Sequence, residues 1–120
     1  MQDNPRKLTT HQKAVLIQVL LTFPDQHVSV CYSASAFDAL AYAQDFLMIF
    51  KAIGWRVNNV VTPETISFVG IAIIVNGEGT LPPSAEALRD ALRIYGIEVQ
   101  ISHHPARNID PGSFVFAVGS

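Results

Sequence analysis

Hydrophobic positions along the chain alternate between stripes of helical period and short, nearly unbroken apolar runs. Val15, Leu16, Val19 and Leu20 recur on one face of a 3.6-residue period. Thr9 followed by Gln12 has the form of a capping box, so a helix is predicted from Thr9 to about Thr22. Phe23-Pro24-Asp25 ends it, because proline lacks an amide and disfavours helical geometry in the residue before it. His27 to Tyr32, with Val28, Val30 and Tyr32, reads as a strand. A second helix is predicted to open near Ser35 and Asp38 and to stop at Gly54, with Phe37, Leu40, Ala41, Leu47, Phe50 and Ile53 on its buried side. Trp55 to Val61 follows as a strand, and Thr62-Pro63-Glu64-Thr65 breaks the pattern.

Phe68 to Val75 (FVGIAIIV) has no alternation at all, the mark of a strand buried on both faces. Asn76 to Pro83 is a loop by composition. Ser84 to Tyr95 is a third helix stopped by Gly96, Ile97 to Ser102 a strand, and His103 to Gly112 a long loop. Ser113 to Val118 is a final strand, expected at a sheet edge.

Phe46 to Val60 (FLMIFKAIGWRVNNV) and Ala87 to Ile101 (ALRDALRIYGIEVQI) correspond when Gly54 is set against Gly96, and each follows an apolar run. The chain therefore carries two copies of strand, helix, strand, and right-handed crossovers make each copy a parallel pair. The expected fold class is α/β: a three-layer Rossmann-like sandwich of two βαβ repeats, with all four main strands parallel in the order 2-1-3-4. The N-terminal helix would cover the second face of the sheet, and the C-terminal strand would form an edge. A ferredoxin-like α+β arrangement, with strand two antiparallel to its neighbours and both repeat helices on one face, is the alternative. Residues 1–8 read as a flexible tail or linker and 9–120 as one α/β domain.

Composition narrows the function classes. Eight basic and ten acidic residues leave a net charge of −2 and no basic face for nucleic acid. Charged residues are 15% of the chain, against about 25% in typical soluble domains. So sparse a charge supply fits either a well-filled core or a surface partly covered by a partner. The single cysteine, Cys31, cannot form an intrachain bridge. No apolar stretch approaches the roughly 20 residues of a membrane span.

In an open parallel sheet, ligands collect outside the carboxyl ends of the strands, where strand order reverses. That rule selects Ser33 and Ser35 after the first strand, Asn76, Gly77 and Glu78 after the third, and His103 with His104 after the fourth. A dinucleotide fingerprint is lacking, since no glycine follows the first strand and Gly77-Glu78-Gly79 has no third glycine before the helix. A P-loop and the acidic cluster of a phosphoacceptor domain are also missing. His27 and Cys31 are about 13 Å apart on an extended strand, too far to share a metal ion. Metal and cofactor are therefore expected to be none. Ser33, Ser35 and His103 lack the G-x-S-x-G turn of a serine hydrolase. Trp55 aligns with Ile97 in the second repeat, which points to packing rather than ligand stacking.

Leu8-Thr9-Thr10-His11-Gln12, Phe23-Pro24, Gly54-Trp55-Arg56-Val57 and Gly96-Ile97-Glu98-Val99 together resemble a soluble domain of uncharacterised bacterial proteins, commonly found after transmembrane helices. The resemblance implies a membrane-tethered context with this domain on the cytoplasmic side, an otherwise soluble cytoplasmic chain being the alternative. Arg6 and Lys7 would suit the flank of such a helix. The expected function is non-catalytic: sensing a small molecule or binding a protein, including a second copy through the Ser113 to Val118 edge. The alternative is a small hydrolase or nucleotide-processing enzyme using the strand-end residues.

Overall fold

The computed structural model describes residues 6–34, 36–57, 62–64, 69–75, 81–103 and 113–119. They form three helices, α1 (Thr10–Leu20), α2 (Ala39–Ala52) and α3 (Pro83–Ile94), and six strands. The strands are β1 (His27–Ser33), β2 (Arg56–Val57), β3 (Thr62–Glu64), β4 (Ile71–Val75), β5 (Val99–His103) and β6 (Phe114–Val118). The chain is mixed α/β, with strand order β2-β1-β6-β4-β5 and β3 continuing the β2 edge along β1.

Both βαβ units form, each as a parallel neighbour pair: β1 with β2 and β3, and β4 with β5. They are not joined side by side. β6 lies between them, parallel to β1 and antiparallel to β4, so the second unit runs opposite to the first. Two expectations are corrected here: the four main strands are not all parallel, and the C-terminal strand is central instead of at an edge. The physical reason is in β6 itself. Phe114, Phe116, Ala117 and Val118 are all buried, which only an interior position can provide.

The layering is corrected as well. Val28, Val30, Ile71, Ile73, Val75, Phe114, Phe116 and Val118 face one core, and Leu16, Leu20, Phe46, Phe50, Leu88 and Leu92 from all three helices belong to it. Among the described residues the helices therefore cover one face, and α1 lies between α2 and α3 rather than behind the sheet. Helices on one face match the ferredoxin-like alternative; the parallel pairing of β2 with β1 does not. The other face holds a separate small cluster of Cys31, Ala72, Ile74 and Ala117, with Val115 beside it.

The helix ends explain why the two repeats align. At the end of α2, Gly54 N donates to Lys51 O (3.1 Å) and Trp55 N to Phe50 O (3.0 Å). At the end of α3, Gly96 N donates to Arg93 O (2.9 Å) and Ile97 N to Leu92 O (3.0 Å). Both are Schellman motifs, which need a residue at positive φ after the helix, and Gly54 and Gly96 have φ of 84° and 75°. The apolar contact that accompanies such a motif is the stack of Trp55 on Phe50, with centroids 5.2 Å apart and planes 12° from parallel.

The capping box before α1 forms as read, with Gln12 N donating to Thr9 Oγ1 and Thr9 N to Gln12 Oε1. Thr62, Pro63 and Glu64, read as a break, pair with Cys31, Tyr32 and Ser33 on the sheet edge, where proline's missing donor is tolerated. α2 begins at Ala39, and its buried side is Ala39, Tyr42, Ala43, Phe46, Leu47, Ile49 and Phe50. Of the six residues expected there, Leu47 and Phe50 are buried, Ile53 is half-buried, and Phe37, Leu40 and Ala41 face outward.

Candidate functional site

The end of the sheet where β1 and β6 finish is closed by the segment that precedes α1. Arg6 approaches from this segment and donates to Asp38 three times: N to Oδ2 at 2.8 Å, Nε to Oδ2 at 2.9 Å and Nη2 to Oδ1 at 2.9 Å. Nη2 also donates to Gly119 O, and the guanidinium lies 5.2 Å from the centroid of the Tyr42 ring. Gly119 N in turn donates to Gly70 O (2.7 Å), so one chain of contacts joins the N-terminal segment, α2, β6 and the residue before β4. Two residues on, Leu8 is buried and its N donates to Asp45 Oδ2 (3.1 Å). Of the residues read as a tail, Arg6 and Leu8 are thus built into the domain.

The electrostatics follow from this geometry. Hydrogen bonds from the Arg6 guanidinium hold the Asp38 carboxyl well below the usual carboxylate range, at about 2, and the Arg6 amide and charge act in the same direction against a smaller desolvation effect. The same bonds raise the pKa of Arg6. Burial pushes the Tyr42 phenol up, opposed by the Arg6 charge. Asp38 occupies the N-cap position of α2 but makes no side-chain capping bond there; its oxygens are turned to Arg6 instead. The Asp38 carboxylate is thus held by Arg6 on both oxygens, and the pair clamps the N-terminal segment to the start of α2.

The residues singled out by the strand-end rule are divided by the fold. Ser33 ends β1 and is buried, on the level just beyond Tyr32 and Val118. His103 ends β5 beside Val75, at the opposite end of the sheet and exposed. Register places them roughly 17 Å apart along the strands and roughly 14 Å across them. Direct proton transfer between them has no geometry. The separation follows from the antiparallel β6–β4 pairing, which turns the carboxyl end of the second repeat away from that of the first. Ser35, Asn76, Gly77, Glu78 and His104 lie outside the described residues.

Cys31 is buried in the small cluster on the helix-free face, whereas His27, on the same strand, is exposed. Among the described residues no group of three or more His, Cys, Asp or Glu could hold a metal ion, and no helix is long and apolar enough to cross a membrane. Trp55 is buried, stacked on Phe50 and edge-on to Phe114, and its Nε1 donates to Phe23 O at 2.8 Å. Its surroundings are those of a packing residue.

The outward side of α2 is the feature with no internal explanation. Leu40, Ala41, Gln44, Met48, Lys51 and Ala52 face solvent, with only one charge among them. Met48 is 70% exposed and Leu40 41%, and Phe37, in the turn before the helix, is 72% exposed. Alongside runs an open groove of about 190 Å³ between α1 and α2, lined by Lys13, Ile17, Asp45, Met48, Ile49 and Ala52. Lys13 Nζ and Asp45 Oδ1 approach to 3.9 Å across it. Other exposed large apolar residues, Leu21, Val69 and Ile94, sit singly on separate elements. Sequence reading missed this surface because it turned Phe37, Leu40 and Ala41 inward; the clue was that α2 offers apolar residues at nearly every angle around its axis. Compared with protein-family models, curated proteins and solved structures, the chain shows no match.

Proposed function

We propose that the chain is a non-catalytic protein-interaction domain whose binding surface is the outward face of α2 with the adjoining α1–α2 groove. The observation that carries this reading is the exposure of Leu40 and Met48 on the outward side of α2 and of Phe37 in the turn before it, where Lys51 is the one fully exposed charge. A solvated helix ordinarily carries its charged residues on that side. A row of exposed apolar anchors beside a groove is the form that receives another amphipathic helix, with anchors spaced by one and two turns. In the membrane-tethered setting that the sequence resemblance implies, such a surface would serve assembly with a neighbouring protein.

The experiment is selection of helical peptides from a displayed library against the whole chain, followed by titration of the selected peptides on Met48→Glu. Met48 is exposed, so the variant keeps its fold. Binding weakened about tenfold or more, equivalent to at least about 1.4 kcal/mol, is expected. Peptides that bind Met48→Glu and the parent chain equally would place the interaction elsewhere.

A further inference from the structure

The chain has three lysines, Lys7, Lys13 and Lys51, and all of them stand around the outward face of α2. Lys13 lines the groove from the α1 side. Lys51 is one turn beyond Met48; at about 100° per residue it falls on the other side of Met48 from Asp45, Ile49 and Ala52, which line the groove. Lys7 is exposed and precedes Leu8, whose N is 3.1 Å from Asp45 Oδ2, so its Cα lies within about 6 Å of that carboxylate.

The acids nearby are engaged internally. Asp38 is 7% exposed and held by Arg6, while Asp45 accepts from Leu8 N on one oxygen and has Lys13 Nζ 3.9 Å from the other. Among the described residues the fully exposed acids, Asp25, Glu86, Asp90 and Glu98, are on other elements. A chain of net charge −2 thus gathers an excess of positive charge around its row of exposed apolar side chains.

We infer that the partner of this face is an acidic amphipathic helix. Its apolar stripe seats on Met48 beside the groove, and carboxylates on its two flanks meet Lys51 on one side and Lys13 with Lys7 on the other. The inference rests on the reading of the α2 face as an interaction surface and goes beyond it by fixing the charge of the partner. A helix fits better than an anionic membrane surface, because Lys13 and Lys51 stand on opposite sides of a concavity of about 190 Å³. A rod lies between them; a flat bilayer does not enter. Exposed lysines of this kind contribute about threefold each to affinity, and they act on partner choice and on salt dependence more than on strength.

Three synthetic helices with one leucine stripe and flanks of glutamate, glutamine or lysine test the charge, each titrated on the whole chain at about 50 mM and about 0.5 M salt. At low salt the glutamate helix should bind about tenfold tighter than the glutamine helix, and the lysine helix weaker than either; at high salt the three should converge. Lys51→Glu should remove most of the glutamate helix's advantage. Arg93→Glu makes the same change of charge at an exposed position of α3, with α1 between it and α2, and should leave the advantage intact. Equal binding of the glutamate and glutamine helices, or an advantage that Arg93→Glu lowers as much as Lys51→Glu does, overturns the inference. So does binding to phosphatidylserine–phosphatidylcholine vesicles by a chain that takes none of the three helices. Library-selected peptides that bind this face without an excess of acidic residues would sink the acidic partner and leave the interaction surface standing, whereas failure of every helix, selected or synthetic, removes both.

Discussion

Arg6 and Asp38, far apart in sequence, are joined by two side-chain hydrogen bonds of 2.9 Å and a third from the Arg6 amide. Asp38 is only 7% exposed, and its carboxyl titrates at about 2 in the folded protein against 3.8 ordinarily. A carboxyl whose folded pKa is depressed contributes stability above its unfolded pKa, and that contribution fades as pH falls toward the folded value. The clamp is therefore fully present at neutral pH and lost between about pH 4 and about pH 2. Arg6→Ala should destabilise the domain by about 2 kcal/mol at pH 7, since it leaves a nearly buried carboxylate without its cation and with only the residue 6 amide as donor. Urea titrations over this range should show the gap between parent and variant closing as Asp38 becomes protonated. A gap independent of pH would remove the clamp from the stability of the domain.

Gly54 and Gly96 should respond alike. A Cβ built at either position meets nothing within 4 Å, so alanine there has only the left-handed backbone to overcome. Gly54→Ala and Gly96→Ala should each cost about 1 kcal/mol in chemical denaturation. The double variant should show the sum, because separated sites add. A cost at one position and none at the other would mean that the two helix ends are not equivalent.

Trp55 is the chain's sole tryptophan and reports on the core directly. Enclosed by Phe50 and Phe114, it should emit at shorter wavelength than in unfolded protein and shift to the red in a single transition with denaturant. Trp55→Phe keeps a ring for the stack but leaves Phe23 O without its donor, and should cost about 1 to 2 kcal/mol. Equal stability of the variant would count against the Nε1 bond.

Phe116 tests the position of β6. Fully buried, its ring centroid lies 4.4 Å from that of Phe46 and 5.8 Å from that of Phe50. Phe116→Ala should cost about 3 to 5 kcal/mol by lost burial and the cavity left behind. Val115, half-buried on the other face, should cost clearly less when changed to alanine. Similar small losses at both would fit a peripheral strand instead.

What was legible in the sequence was local. The Thr9–Gln12 box and the Gly54 and Gly96 stops bond within one turn of a helix, so short windows contain all their partners. The two βαβ units were equally readable, because right-handed crossover leaves each little choice. How the units join was not, since the pairing of β6 with both β1 and β4 is decided by contacts distant in the sequence. The candidate site suffered for that reason: strand ends that would be neighbours in an all-parallel sheet, Ser33 and His103, were sent to opposite ends. The buried side of α2 was misassigned because an apolar residue is available at nearly every angle around it. Arg6 gave no signal, since nothing nearby marks Asp38 as its partner.

The central place of β6 also sets an order of assembly. Each βαβ unit can form from neighbouring segments, but the two cannot become one sheet until β6 enters between them, and its pairing with β1 closes a loop containing most of the chain. Such long-range closure is slow compared with helix formation. Until it occurs, β1 and β4 each present an unpaired edge to solvent, the kind of template that recruits other strands. The same strand that locks the native sheet thus governs how long the folding chain is open to wrong partners, and a detached peptide of residues 113–119 supplied in trans is the natural competitor for that gap.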